Sequence, residues 1–484
     1  MAIHQFVKRD PDKGYFGRQL WLPKKHINTR SVKSGLEFPI MDDRGMSYMQ
    51  LWCEDQDHII VPREFITRDH YKDLPFPIVS VQPLSYPQVE FKSNIVLDFK
   101  EPNKTTQRDA FADMETAQCG ILNLSCGAGK TALALHYIAK KKVPALVIVN
   151  NTTLIDQWQD RIQEFLHVPG GVGTIQGPPE TWDWQGRGIC VAMIHSLALR
   201  SAEVPLEMAR YFGLVIYDEV HHLSAPLFSQ TAPLFFGERH GLTATNNRED
   251  GLEVIYQYHV GEAYHCNLMQ DMRPRIYFQQ CPVSIDTRDP AVIKEVYDKA
   301  GKLNIPKLRN YLGSLPEVND FIAEKLRAPI AMGRKILVLS HSVGQLRNLN
   351  EMFEDAGLCT GKENPKKRLE TLRTKQLSFG TLQLVREALD ESTLDTLFFV
   401  TPFGSQEIAD GGLNTLQQGM GRIQRFREGK KTPVVVILDH IYIPKMHRMC
   451  SKMKRLLKAW PAEQGGALEY TTLRPYSREA TNGK

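Results

Sequence analysis

The chain has 484 residues, 42% of them apolar and 24% charged, a balance that suits packed globular cores and excludes a chain dominated by disorder. No segment approaches the run of roughly 18 apolar residues that a membrane span needs, and the opening MAIHQFVKRD lacks the apolar core of a signal peptide. The expectation is a cytoplasmic protein. Eight cysteines stand singly at 53, 119, 126, 190, 266, 281, 359 and 450; without a CxxC pair or a Cys/His cluster they argue against zinc and for reduced thiols. The net charge of +5 is spread unevenly. Residues 1–40 hold eight Lys/Arg against three acids, and between Asp439 and Glu463 there is no acid while Lys445, Arg448, Lys452, Lys454, Arg455 and Lys458 gather. Either cluster is a candidate for touching a polyanion, and equally a solvated surface.

Along the chain, residues 1–98 show short extended pieces broken by proline, such as HIIVPREFI and PFPIVSVQPLSYP, the pattern of a small β-rich or α+β domain. From about residue 100 the texture changes. Apolar runs (LVIV, LVIY, ILVL, LFFV, VVVIL) alternate with helix-like stretches such as TLIDQWQDRIQEFL, and buried strands alternating with helices imply parallel sheets in an α/β architecture. The series pauses near 252 and restarts at GRKILVLSHS. The reading is an accessory domain at 1–98, α/β domains at 99–260 and 330–440, a connecting segment at 261–329 that includes the start of the second α/β domain, and a basic extension at 441–484.

Two stretches carry chemistry. Gly120 to Leu124 reads as a strand, Ser125 to Gly129 as a tight loop and Thr131 to Lys142 as a helix with Leu133/Tyr137 and Ala134/Ile138 stacked one turn apart. Gly127 and Gly129, with Cys126 and Ala128 between and before them, let backbone N–H groups close on phosphate oxygens; Lys130 reaches the terminal phosphates and Thr131 is a Mg²⁺ ligand. The full GxxxxGK[ST] pattern is not met, because position 124 is leucine, and a bare GxGKT run also occurs as a plain strand-to-helix turn. Downstream, LVIYDEVHH is an apolar strand ending in two adjacent carboxylates. Asp218 is placed to hold Mg²⁺ through water, and Glu219 to orient and deprotonate an attacking water.

GAGKT, DEVHH, GLTATNNREDG and QQGMGRIQR, taken in this order, resemble motifs I, II, III and VI of superfamily 2 helicases, most closely the XPB-like and phage UvsW-like DNA translocases. The resemblance covers about residues 100 to 440 and implies two tandem RecA-like domains. It assigns Gln107 of TTQRDAF to the adenine edge, and places Asn150 and Thr152 of VNNTTLIDQW and Ser196 of VAMIHSLA where a nucleic-acid strand passes, although helix caps and turns would use the same residue types. Thr243 and Thr245 match the motif that couples hydrolysis to movement. Ser340 of LSHSVGQ and Thr381 fall near the strand, and Asp390 near the nucleotide. Gln418, Arg422 and Arg425 share a helical face through their spacings of four and three, and the resemblance gives them the γ-phosphate charge. Ser125, Asn246 and Ala388 depart from the residues usual at their positions.

The function implied is ATP- and Mg²⁺-dependent unwinding or remodelling of forked and branched DNA in repair, recombination or replication, alongside other proteins of those processes, in the host cytoplasm if the chain is viral. An RNA helicase or transcription-linked translocase is the nearest rival, and a nucleotide-gated scaffold that binds without moving is the remote one.

Overall fold

The computed structural model describes residues 9–42, 45–97, 107–124, 128–244, 251–267, 274–286, 288–361, 363–382, 384, 393–403, 419–420, 423, 429–459 and 469–475. Contacts divide the chain into two units, the first of Met1–Leu124 and Gly129–Asn267 and the second of Ser125–Ala128 and Leu268–Lys484.

The first unit opens with a five-stranded sheet ordered Cys53–Glu54, His58–Val61, Leu20–Pro23, Gly14–Phe16 and Ile78–Ser80, antiparallel except for its last pair. A hairpin of Glu37–Asp42 and Gly45–Gln50 stands beside it. Phe16, Leu20, Leu22, Met49, Ile59 and Val61 form its core, which also takes in Ile255 from the following domain. Two buried guanidiniums seal this junction. Arg63 donates to the carbonyls of Phe236 and Gly237, both at 2.9 Å, and its Nε lies 3.1 Å from Glu64. Arg239 donates to the carbonyls of His259, Arg18 and Phe235 at 3.0, 2.7 and 3.1 Å. A buried charge is tolerated when hydrogen bonds replace its water, and backbone carbonyls supply most of them here.

The rest of the unit is a seven-stranded parallel sheet. Its strands are β1 (Gly120–Leu124), β2 (Ala145–Val149), β3 (Val172–Ile175), β4 (Ile189–Met193), β5 (Leu214–Asp218), β6 (Glu238–Thr243) and β7 (Ala263–Asn267). Their spatial order is β3-β4-β2-β5-β6-β1-β7. β1, β2 and β4 are buried along their whole length, and β2 and β4 read as unbroken apolar runs, as strands do where helices cover both faces of a sheet. The helices that matter for the site are α1 (Gln107–Thr116), α2 (Lys130–Lys141) and α3 (Thr152–Phe165).

The second unit holds another seven-stranded parallel sheet, of β8 (Arg275–Cys281), β9 (Ile336–Ser340), β10 (Ala356–Cys359), β11 (Leu377–Thr381), β12 (Thr396–Phe399), β13 (Val434–His440) and β14 (Glu469–Leu473), ordered β10-β11-β9-β12-β13-β8-β14. Helix α4 (Pro444–Ala459) packs on it through Cys450, Met453 and Leu457. The architecture is thus α/β, with two tandem RecA-like parallel sheets behind a small mixed N-terminal sheet, as the alternation of apolar runs predicts. Among the described residues no helix is long and apolar enough to cross a membrane.

His440 closes β13 with 1% of its surface exposed, and burial pulls its imidazole down to about 4. Folded, it stays neutral; unfolded, it titrates near 6.5. As pH falls below 6.5 the unfolded chain takes up a proton that the fold refuses, so stability present above 6.5 is lost progressively towards pH 4, by roughly 3 kcal/mol in total. Urea unfolding followed across this window is expected to show that loss, and His440→Gln, which cannot titrate, to reduce it by this share, the remainder staying with other buried imidazoles such as His259, pulled down to about 3.

Candidate functional site

In an open parallel sheet ligands collect at the carboxyl ends of the strands. The register sets Asp218 at the end of β5 beside Leu242 of β6, and Thr243 of β6 beside Asn123 of β1, so three neighbouring strands end together where the phosphate loop leaves β1. Ser125, Cys126 and Gly127 lie outside the described residues, whereas Ala128 to Thr131 are half-exposed. Gly129 has φ 89°, a left-handed backbone that a side chain resists, and it precedes the first turn of α2 with no side-chain cap. No side chain of the cap residue competes there for an anion, which a helix N-terminus favours.

Gln107, the first residue of α1, is brought to this loop: a Cβ built on Gly129 would run into its Nε2. Gly129→Ala is accordingly expected to cost at least about 1–2 kcal/mol for the left-handed φ alone, read as a lowered urea midpoint, and to push the Gln107 amide aside. The Lys130 ammonium donates to the Leu124 carbonyl at 2.9 Å, which holds it across the loop rather than out in solvent.

The two carboxylates differ sharply. Asp218 accepts from the Trp158 indole of α3 at 2.8 Å through Oδ2 and from the Glu219 N–H at 3.1 Å through Oδ1. Burial, then the neighbouring charge of Glu219, raise it to about 6, against the pull of the Trp158 N–H and of Lys130. Glu219 turns the chain at φ 49°, outside the strand, and its Oε2 lies 3.4 Å from His221 Nδ1. The rings of His221 and His222 sit 4.4 Å apart, and His222 Nε2 meets the Asn150 amide at the end of β2.

A magnesium ion bound through a nucleotide keeps several waters and takes one or two hard oxygen ligands from the protein. One carboxylate, Asp218, and one hydroxyl, Thr131, fit that demand; among the described residues no cluster of three or more His, Cys, Asp or Glu offers an all-protein cage.

The positions expected to meet a strand divide. Asn150 is engaged by His222 and by Asn151; Asn151 itself caps α3 by accepting from Leu154 N at 2.9 Å, leaving Thr152 exposed in the first turn. Ser196 Oγ accepts from Gly177 N at 2.9 Å, closing a turn. Thr243 is fully buried. Ser340 corrects the expectation of a strand contact: it is 0% exposed, donates to Gln345 Oε1 at 2.8 Å and accepts from Ser342 N at 3.0 Å, so it organises the loop after β9 from inside. Thr381 is half-exposed at the end of β11, next to Ser340. Thr245, Asp390, Gln418, Arg422 and Arg425 lie outside the described residues. Trp158 was not singled out from sequence, where it reads as the core of an amphipathic helix; the signal was its indole N–H, which a buried tryptophan must satisfy.

Comparison with known proteins agrees with this geometry. The family model described as "Type III restriction enzyme, res subunit" matches residues 83–248. A putative ATP-dependent RNA helicase of Acanthamoeba polyphaga mimivirus is 27% identical over 67% of this chain and 60% of its own. The DNA 3'-5' translocase XPB2 of Sulfurisphaera tokodaii is 30% identical over 55% of this chain and 63% of its own. The chain therefore spans about three-fifths of the length of these relatives. In fold alone it is similar to S. cerevisiae Dbp5 bound to RNA and ADP BeF3, with a TM-score of 0.50 and 13% identity over 74% of this chain and 86% of that one. The parallel sheets, the GAGKT loop and the DEVHH strand end, together with these relatives, support a likeness to the superfamily 2 helicases and translocases of the XPB-like group.

Proposed function

We propose that the chain is an ATP-hydrolysing motor that translocates on nucleic acid and remodels forked or branched DNA. The observation that carries this reading is the convergence of Gln107, Gly129, Lys130, Asp218 and Glu219 at the carboxyl ends of β1 and β5. In it, the first turn of α2 and Lys130 bind the nucleotide's phosphates, and Gln107 reads the adenine edge. Asp218 and Thr131 would hold Mg²⁺, and the ion would supply charge neutralisation at the phosphate oxygens. Glu219 takes the proton of a water as that water adds to the γ-phosphorus and the bond to ADP breaks. By their motifs alone, Gln418, Arg422 and Arg425 are assigned to answer the negative charge that develops, and Asp390 to the nucleotide-binding set. Residues 1–98 serve as an accessory nucleic-acid-binding module, with motor domains at 99–260 and 330–440, and the protein works beside replication or recombination proteins in the cytoplasm.

The restriction-subunit match lies within the ATP-binding half and supports the engine rather than any nuclease. A second reading, RNA as the track, is supported by the viral relative named as an RNA helicase. ATPase and labelled-strand displacement over forked DNA, Holliday junction, duplex, single strand and RNA, at two salt concentrations, decide. Forked or branched DNA is expected to stimulate most. Stimulation greatest with RNA would transfer the assignment to RNA, and binding without displacement on any substrate would leave a scaffold.

A further inference from the structure

The two basic clusters of the sequence have different fates in the fold. In the N-terminal module the lysines are answered locally: Lys13 by Asp10, Lys25 by Asp12, and Lys24 and Lys33 by Glu54. On α4 they are not. Met446, Met449, Cys450, Met453 and Leu457, each at most 5% exposed, form the inner side of this helix. They pack against the second sheet and against the helices Pro290–Val296 and Ile305–Ser314. Opposite them, Lys445, Arg448, Lys452 and Arg455 follow at i, i+3, i+7 and i+10, one face about 15 Å long at 1.5 Å per residue. Among the described residues no carboxylate pairs with any of the four; Arg448 Nε alone has a partner, the Pro444 carbonyl of its own helix at 3.2 Å. Tyr442, 60% exposed, stands three residues before the row.

A cationic amphipathic helix has three ordinary partners: a membrane surface, a groove that receives its apolar side, or a polyanion. The first two need the apolar side, which on α4 is buried in its own domain. What α4 presents is a row of cations that no described carboxylate neutralises, with an aromatic ring at one end, the combination that follows a backbone of phosphates and stacks a base.

We propose that the outer face of α4 is a binding track for the sugar-phosphate backbone of a nucleic-acid strand, with Tyr442 as a base-stacking position at its end. The inference rests on the motor function proposed above and locates a contact surface for its substrate.

The test uses the full chain and a variant carrying Lys445→Gln, Arg448→Gln, Lys452→Gln and Arg455→Gln, with fluorescently labelled forked DNA and single-stranded DNA between about 50 and 200 mM KCl. Each phosphate contact contributes roughly 0.7 to 0.9 to the slope of log affinity against log salt. The variant is expected to bind at least about tenfold more weakly at the lower salt, with a slope shallower by about 3, while its ATPase without nucleic acid and its melting temperature stay unchanged. Tyr442→Ala is expected to weaken single-strand binding roughly fivefold or more. If the quadruple variant matches wild type in affinity and slope while wild type is a DNA-stimulated ATPase, this inference fails and the motor function stands. If wild type neither binds nor responds to any nucleic acid, both fail. Binding to anionic vesicles or to an acidic protein such as casein that the quadruple variant loses while its DNA binding stays intact would also overturn the track.

Discussion

Glu219→Gln is expected to lower ATP turnover by about a thousandfold while leaving nucleotide affinity within about twofold. A positioned general base contributes roughly 10² to 10⁴ in rate, and the amide keeps the shape of the side chain but cannot take a proton. Binding is expected to survive because the groups proposed to meet the phosphates, Lys130 and the first turn of α2, are untouched. Asp218 even loses the like charge that helps to raise it to about 6, so its ionised form becomes easier to hold. Lys130→Ala should behave differently, losing turnover and affinity together. Phosphate release and titration with a fluorescent nucleotide separate the two patterns, and normal nucleic-acid-stimulated ATPase in Glu219→Gln would remove this residue from the role of base.

The second large effect concerns stability. Arg239→Met is expected to cost about 3–5 kcal/mol, because three buried carbonyls, those of His259, Arg18 and Phe235, lose their donor at once, and an unanswered buried polar group costs roughly 1–3 kcal/mol. Burial and the nearby Arg63 pull this guanidinium down to about 9, which still leaves it charged at neutral pH. Arg18 lies in the turn between Gly14–Phe16 and Leu20–Pro23 of the N-terminal sheet, so the variant should also loosen the seat of that module and open it to limited proteolysis before the parallel sheet unfolds. A loss below about 1 kcal/mol by urea unfolding, with unchanged proteolysis, would mean that the guanidinium does not bear this load.

What the sequence reveals follows from what local pattern encodes. The unbroken apolar runs mark β2, β5, β9, β12 and β13 because strands of a doubly covered parallel sheet meet no solvent, and GAGKT and DEVHH mark the loop and strand end because their chemistry is packed into consecutive residues. Partners distant in sequence are invisible to such patterns. Nothing in QWQD announces that Trp158 will hold Asp218 across 60 residues, and Arg63 and Arg239, charged and hence expected outside, are drawn in by carbonyls that only the folded chain assembles. Ser340 misleads for a related reason: a serine after a strand looks the same whether its hydroxyl faces a ligand or the loop beneath it. The stretch from 445 to 458 reads from its charges as a polyanion contact or a solvated surface; in the structure its apolar side packs, and that fact leaves the other side to explain.

The backbone at Glu219 carries a last implication. A glutamate at φ 49° sits where glycine would be more comfortable, by roughly 1–2 kcal/mol. Heat challenge or expression yield, used as the sole criterion to improve this protein in the laboratory, would therefore reward Glu219→Gly and enrich sturdier molecules with a dead engine.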